Sequence, residues 1–153
     1  MANTYTQIHI QVVMVVKYRD ALIHPSWKER LHQYITGIVQ NHKHKMLAIN
    51  SVPDHLHFFI GMRPHQSISD LMRNVSGDSS EWINLQMLTP IKFHWQPGYG
   101  AFSYRKRSVP QIVKYITDQE KHHRNKTFHE EYIQLLDEFE VEYNPKYLFL
   151  PPE

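Results

Sequence analysis

Two histidines stand two residues apart inside an apolar run, His55-Leu-His-Phe-Phe-Ile60, and this stretch restricts the fold more than any other. It reads as a buried strand, entered through a tight turn at Pro53-Asp54 and ended by Pro64. Successive side chains on a strand alternate faces, so His55 and His57 project from the same one. Imidazoles that close can hold one divalent cation: Zn, Mn, Fe, Ni or Cu, and Mg where the other ligands are oxygen. A lone His-x-His also describes a core histidine beside a satisfied surface one, so the motif needs a partner elsewhere in the chain.

The rest of the pattern places that strand in an α+β sheet. Residues 5–18 are rich in Ile, Val, Thr and Tyr, and Val12 to Val16 is continuously apolar, as expected of a central strand. Ser26 with Glu29 predicts a capping box opening a helix with the stripe Leu31, Ile35, Ile38 and Val39. Residues 46–52 predict a second strand, and 67–88 a second helix interrupted near Gly77, with Asp78, Ser79 and Ser80 as a fresh cap. Residues 99–105 predict a fourth strand. Ser108 with Gln111 predicts the cap of a third helix over 109–124, and a fourth helix is expected over 127–140, before a tail containing Pro145, Pro151 and Pro152. The order β-α-β-β-α-β followed by helices is the split-βαβ, ferredoxin-like antiparallel arrangement, with the first and third strands central.

At 153 residues a single domain spanning 1–153 is expected, with the C-terminal helix and acidic tail from about 127. There is no cysteine, which excludes disulfides and thiolate metal sites and fits a reducing cytoplasm. No signal peptide is visible, and no apolar run approaches the roughly 20 residues of a membrane helix, so no membrane partner is expected. Charge is segregated. The last 24 residues hold one of the 17 basic and seven of the 15 acidic residues, leaving 16 and 8 for residues 1–129. A basic body suggests a polyanionic partner.

A second constellation lies about sixty residues after the histidine pair. In the third helix Tyr115 and Gln119 are four apart and share a side, with His122 near it. Arg105, Lys106 and Arg107 precede them, and Lys114, Lys121, Arg124 and Lys126 surround them. A phenol must lose its proton, with a usual pKa of about 10, before it attacks a phosphodiester. Neighbouring cations favour the phenolate and attract a phosphate backbone. A cation on the histidines would polarise the scissile phosphate, with Gln119 as a neutral oxygen ligand. Taken alone, the same helix also reads as an interfacial tyrosine on a solvated basic surface.

Together these motifs resemble the HUH single-tyrosine transposases of bacterial insertion sequences, over almost the whole chain. Pro53-Asp-His-Leu-His57 is similar to that family's metal motif, Trp95-Gln-Pro-Gly-Tyr-Gly-Ala-Phe-Ser103 to the segment entering its last strand, and Tyr115-Ile-Thr-Asp-Gln119 to its catalytic helix. The resemblance implies that Tyr115 attacks a DNA phosphate, forms a 5′-phosphotyrosine link and releases a 3′-OH. It implies Mg²⁺ or Mn²⁺ on His55, His57 and Gln119, and a substrate of single-stranded DNA at element ends. A hairpin nearby would meet a basic surface to which Arg105, Lys106, Arg107, Lys114, Lys121 and Arg124 are assigned. It further implies a homodimer in the bacterial cytoplasm, nucleoid-associated when DNA-bound, with no nucleotide cofactor; no phosphate loop is present. One stretch departs from the pattern. Asn74 to Trp82 lacks the cation that relatives carry near Ser76 or Glu81, so no DNA contact is assigned there.

Other readings stay open on the sequence. A catalytically silent or host-adapted relative would keep DNA binding alone. An RNA-binding ferredoxin-like module would use Gly98 to Tyr104 as its aromatic strand, although the spacing differs and the histidine pair would have no task. A phosphodiesterase with paired His-x-Thr motifs is opposed by Phe58 following His57.

Overall fold

The computed structural model describes residues 3–119 and 126–149. Four strands, β1 (His9–Val15), β2 (Lys45–Val52), β3 (His55–Gly61) and β4 (Gly100–Tyr104), form one antiparallel sheet in the order β2-β3-β1-β4. The helices are α1 (Lys28–Asn41), α2 (Ile68–Leu85), α3 (Val109–Thr117) and α4 (Phe128–Glu138). This is the expected split-βαβ architecture, with the two most apolar strands at its centre. None of the described helices is long and apolar enough to cross a membrane.

The near-continuous apolar character of β1 and β3 follows from cover on both faces of the sheet. On one face Ile10, Val12, Met14, Leu56, Phe58 and Ile60 pack against Leu31, Ile35 and Val39 of α1 and Leu71, Met72, Val75 and Ile83 of α2. The other face is divided. Phe59 meets Ile112 and Ile116 of α3, while Val13, Val15 and Phe102 meet Phe128, Tyr132, Leu135 and Leu136 of α4. His55 and His57 belong to this second face.

Several local expectations give way to competing bonds. The first strand stops at Val15, and a 3-10 turn follows over Lys17–Arg19, with Tyr18 at φ 62°. Ser26 does not cap α1: its hydroxyl and its amide both turn back to His24 Nδ1, at 2.8 and 3.0 Å. Helix α2 runs unbroken through Gly77. Ser76, Ser79 and Ser80 direct their hydroxyls to carbonyls three or four residues earlier instead of starting a new cap. Ser79 is wholly buried and accepts from Trp95 Nε1 at 2.9 Å, which ties α2 to the segment before β4. Ser108 also makes no cap; a 3-10 turn, Lys106–Ser108, leads directly into α3. Helix α3 ends at Thr117, with a break at Asp118 before Gln119 is helical again, and the expected continuation to 124 falls mostly outside the described residues. Thr127 does cap α4, accepting from the Glu130 amide at 3.2 Å.

Candidate active site

The register brings the two motifs together. His57 pairs with Val13 on β1 and with Asn50 on β2. The Asn50 amide donates to the carbonyls of Ile116 and Thr117, both at 3.0 Å, satisfying the open end of α3. That clamp sets the last turn of α3 over the histidines. The Tyr115 ring stands edge-on to His57, with centroids 6.2 Å apart. Gln119 is fully buried one turn on; its amide lies 3.4 Å from the Tyr115 carbonyl and also bonds the phenol.

Both histidines are fully buried and their rings lie 5.2 Å apart. The Nδ1–H of His55 donates to Asp54 at 2.7 Å, which turns Nε2 inward. Burial holds this imidazole down to a pKa of about 4, so it is neutral and able to ligate a metal. His57 lies between two partners. Its Nδ1 meets the Gln11 amide at 3.0 Å, and Gln11 accepts from the Tyr104 hydroxyl at 2.8 Å. Its Nε2 donates to Glu131 at 2.8 Å.

Glu131 is a site residue that the sequence motifs do not include. It sits on α4, is 3 % exposed, and lies 3.9 Å from His55 Nε2. It also accepts from the Tyr115 phenol. A signal for it exists in the sequence. Phe128, Glu131, Tyr132, Leu135 and Leu136 follow helical spacing, so Glu131 is a carboxylate inside an apolar stripe, where an ionisable group needs a partner. Asp54, immediately before the histidine motif, reads in the sequence only as part of a turn.

The donor atoms of His55, His57 and Glu131 lie within 4.8 Å of one another. Metal–nitrogen and metal–oxygen bonds of about 2.0–2.2 Å place two donors at most about 4.4 Å apart, so a small inward shift would let one cation touch all three. Two imidazoles and a carboxylate suit a divalent first-row metal, and the buried, neutral His55 with its Asp54 partner fits that role.

Tyr115 meets surroundings unlike those expected from the basic sequence around it. Burial raises its pKa well above the usual 10, and the charge of Glu131 and the bond to that carboxylate raise it further. Lys114 is exposed. A cleft of roughly 740 Å³ opens between α3 and α4, with Ser108, Gln111, Lys114 and Lys126 on its walls and Tyr115 and Glu131 among its lining. Arg105, Lys106 and Arg107 are exposed just before α3. Lys121, His122 and Arg124 lie outside the described residues. Phe102 is buried against Phe139, so the fourth strand does not present the open aromatic surface that an RNA-binding module requires.

Comparison with known proteins adds three findings. Residues 4–119 match the family model described as "Transposase IS200 like". The chain is 23 % identical over 118 residues to ISDra2 transposase TnpA of Deinococcus radiodurans, covering 74 % of this chain and 84 % of that protein. Among solved structures, a protein from Deinococcus radiodurans R1 assigned as a transposase superposes with a TM-score of 0.61 at 20 % identity, covering 78 % of this chain and 96 % of that one. A REP-associated tyrosine transposase bound to a REP hairpin superposes with a TM-score of 0.60 at 15 % identity, covering 80 % and 73 %. These structural likenesses carry the α+β fold. Glu131 lies beyond the segment that matches the family model.

Proposed function

Since the chain belongs to the IS200-like transposase family, we propose that it cleaves and rejoins single-stranded DNA through a covalent link to Tyr115. The observation that carries this reading is the meeting of the Tyr115 phenol with His57 and Glu131 in one buried site at the end of a cleft. In the forward step the Tyr115 oxygen bonds to phosphorus and the P–O3′ bond breaks. The protein keeps the 5′-phosphate, and the 3′ oxygen takes up a proton to leave as a 3′-OH. Attack by a 3′-OH on the phosphotyrosine reverses the step and rejoins a strand, so the bond energy is retained and no nucleotide is consumed.

His55 and His57 would hold Mg²⁺ or Mn²⁺, with Glu131 or Gln119 as the oxygen ligand. A cation held there would supply Lewis-acid stabilisation of the charge on the phosphoryl oxygens. Asp54 orients His55 and Gln119 supports the phenol, while His57 would bind a cation through Nε2 with its proton moved to Nδ1, where the Gln11 amide would turn its oxygen to accept it. Lys114, Lys126 and Arg105 to Arg107 would draw the strand into the cleft, with Lys121 and Arg124 extending that surface. The whole chain would act as one domain, as a homodimer in the bacterial cytoplasm, on single-stranded DNA beside a hairpin.

One observation favours a second reading, a relative that binds DNA without cutting it. The histidines are fully buried, and Glu131 bonds both His57 and the tyrosine. The test is denaturing electrophoresis after incubation with single-stranded oligonucleotides from both strands flanking the gene, with Mg²⁺ or Mn²⁺. A protein–DNA adduct that disappears in Tyr115→Phe, while DNA binding persists, is expected. Binding with no adduct under either metal would establish the silent relative instead.

A further inference from the structure

A second concentration of charge lies at the end of the sheet away from His55, where Tyr104 also borders the cleft. Gly61 pairs with both His9 and Lys45, and His9 pairs with Tyr104, so the end of β3, the starts of β1 and β2 and the end of β4 lie together. His55 marks the other end, paired with Val15 and Val52. Lys43 and Lys45 lead into β2, Arg63 follows β3, and Arg105 to Arg107 follow β4. Six cations from three segments therefore collect at one end.

Three of them share a concavity of roughly 320 Å³, lined by Gln40, Lys43, His44, Lys45, Gly61 and Arg63. Lys43, Lys45 and Arg63 are exposed, and among the described residues none of them enters an ion pair. The next acid after Arg63, Asp70, faces Arg73 at 3.4 Å. The framework beneath these cations is fixed. His44 is 4 % exposed, and both its nitrogens are committed: Nδ1 accepts the Arg63 amide at 3.0 Å and Nε2 meets Gln66 at 2.9 Å. Lys43 takes φ 72°, the left-handed value more usual for glycine after a helix, so the chain turns sharply out of α1. Gly61 leaves the floor beside Lys45 without a side chain. Like charges held on a pinned frame without a protein counter-charge fit an external anion.

We propose that Lys43, Lys45 and Arg63 seat the phosphate backbone of a base-paired DNA segment adjoining the strand that enters the cleft. The cations are point charges, and no aromatic ring other than the buried His44 lines the concavity. That suits backbone contact and gives nothing for unpaired bases to stack on. The strand geometry sets the spacing. At about 3.3 Å per residue, Gly61 lies about 13 Å from His57 and about 20 Å from His55. The choice of DNA rests on the transposase reading; the anion seat itself does not.

The test compares the full-length protein with K43Q/K45Q/R63Q and the charge-keeping K43R/K45R/R63K. The probes are a fluorescein-labelled DNA hairpin with a single-stranded tail and the unpaired tail alone, titrated by anisotropy across a range of NaCl. In the Gln variant the log–log salt slope for the hairpin is expected to fall by about two to three, at roughly 0.9 for each phosphate that is no longer neutralised. The charge-keeping variant should match the unaltered protein, and in the Gln variant binding of the unpaired tail and the Tyr115 adduct formed on that tail alone should be unchanged. An unchanged hairpin slope, or an equal fall on the tail alone, would overturn the seat. A slope that falls in a protein forming no adduct on any strand would uphold the seat and remove the cleavage reading.

Discussion

Glu131 accepts from His57 and from Tyr115 at once, and the two contacts make opposite demands on the site. A carboxylate between two imidazoles favours a bound cation, yet the same charge opposes formation of the phenolate. Glu131→Gln keeps the shape and removes the charge, so the Tyr115 phenol should ionise at lower pH. Ultraviolet difference titration, with the Glu131→Gln, Tyr115→Phe double variant as reference, reads this directly; a phenol ionising at the same pH would show that burial alone sets it. Asp54 acts one bond further out. Asp54→Asn leaves both histidines in place but weakens the orientation of His55, so Mn²⁺ affinity should fall about 10–100-fold, measured by calorimetry. Undiminished affinity would remove His55 from the metal set.

At Tyr132, helix α4 comes close to the sheet where β4 begins with a glycine. A Cβ at Gly100 would stand 2.8 Å from the Tyr132 hydroxyl oxygen and 3.0 Å from Phe102 Cε2, closer than packed atoms tolerate. Gly100→Ala should therefore lift α4, with a cost of about 1–3 kcal/mol. Hydrogen exchange should quicken across 128–138 while α1 and α2 keep their protection; unchanged exchange in α4 would show that Tyr132 does not seat there. This contact explains a glycine for which the sequence alone offers no reason. Strand alternation makes the two histidines legible, and helical spacing does the same for Tyr115 and Gln119. Glu131 shows in the sequence only as a carboxylate within an apolar stripe; its meeting with the histidines is hidden, because they are 74 and 76 residues away and no local pattern joins α4 to β3. The capping expectations fail for a related reason. Ser26 and Ser79 have the right neighbours in sequence, but His24 and Trp95 supply other bonds.

Stability of the whole molecule should depend on pH through buried imidazoles, His32 and His55 foremost, with His44 lowered in the same direction by burial. Burial lowers His32 and His55 to about 4 from 6.5, so between those values the unfolded chain binds more protons than the folded one. The stabilisation is complete above about pH 6.5 and declines as pH falls toward 4, by at most about 1.4 kcal/mol per unit for each histidine. Urea denaturation midpoints should be flat near pH 7.5 and drop between 6.5 and 4.5. His32→Gln, which keeps a group able to bond Ser51, should lessen that drop, and an undiminished drop would remove His32 from the account. The two faces of the sheet also answer differently to damage. One is filled by a broad apolar layer under α1 and α2; the other carries the site beneath two short helices that contact the sheet through smaller clusters. A melting curve therefore reports mainly on the face away from the candidate site. A lesion that only loosens α3 or α4 would pass a thermal screen and register as lost activity alone, so local exchange, rather than melting temperature, is the measure that separates a damaged scaffold from a damaged site.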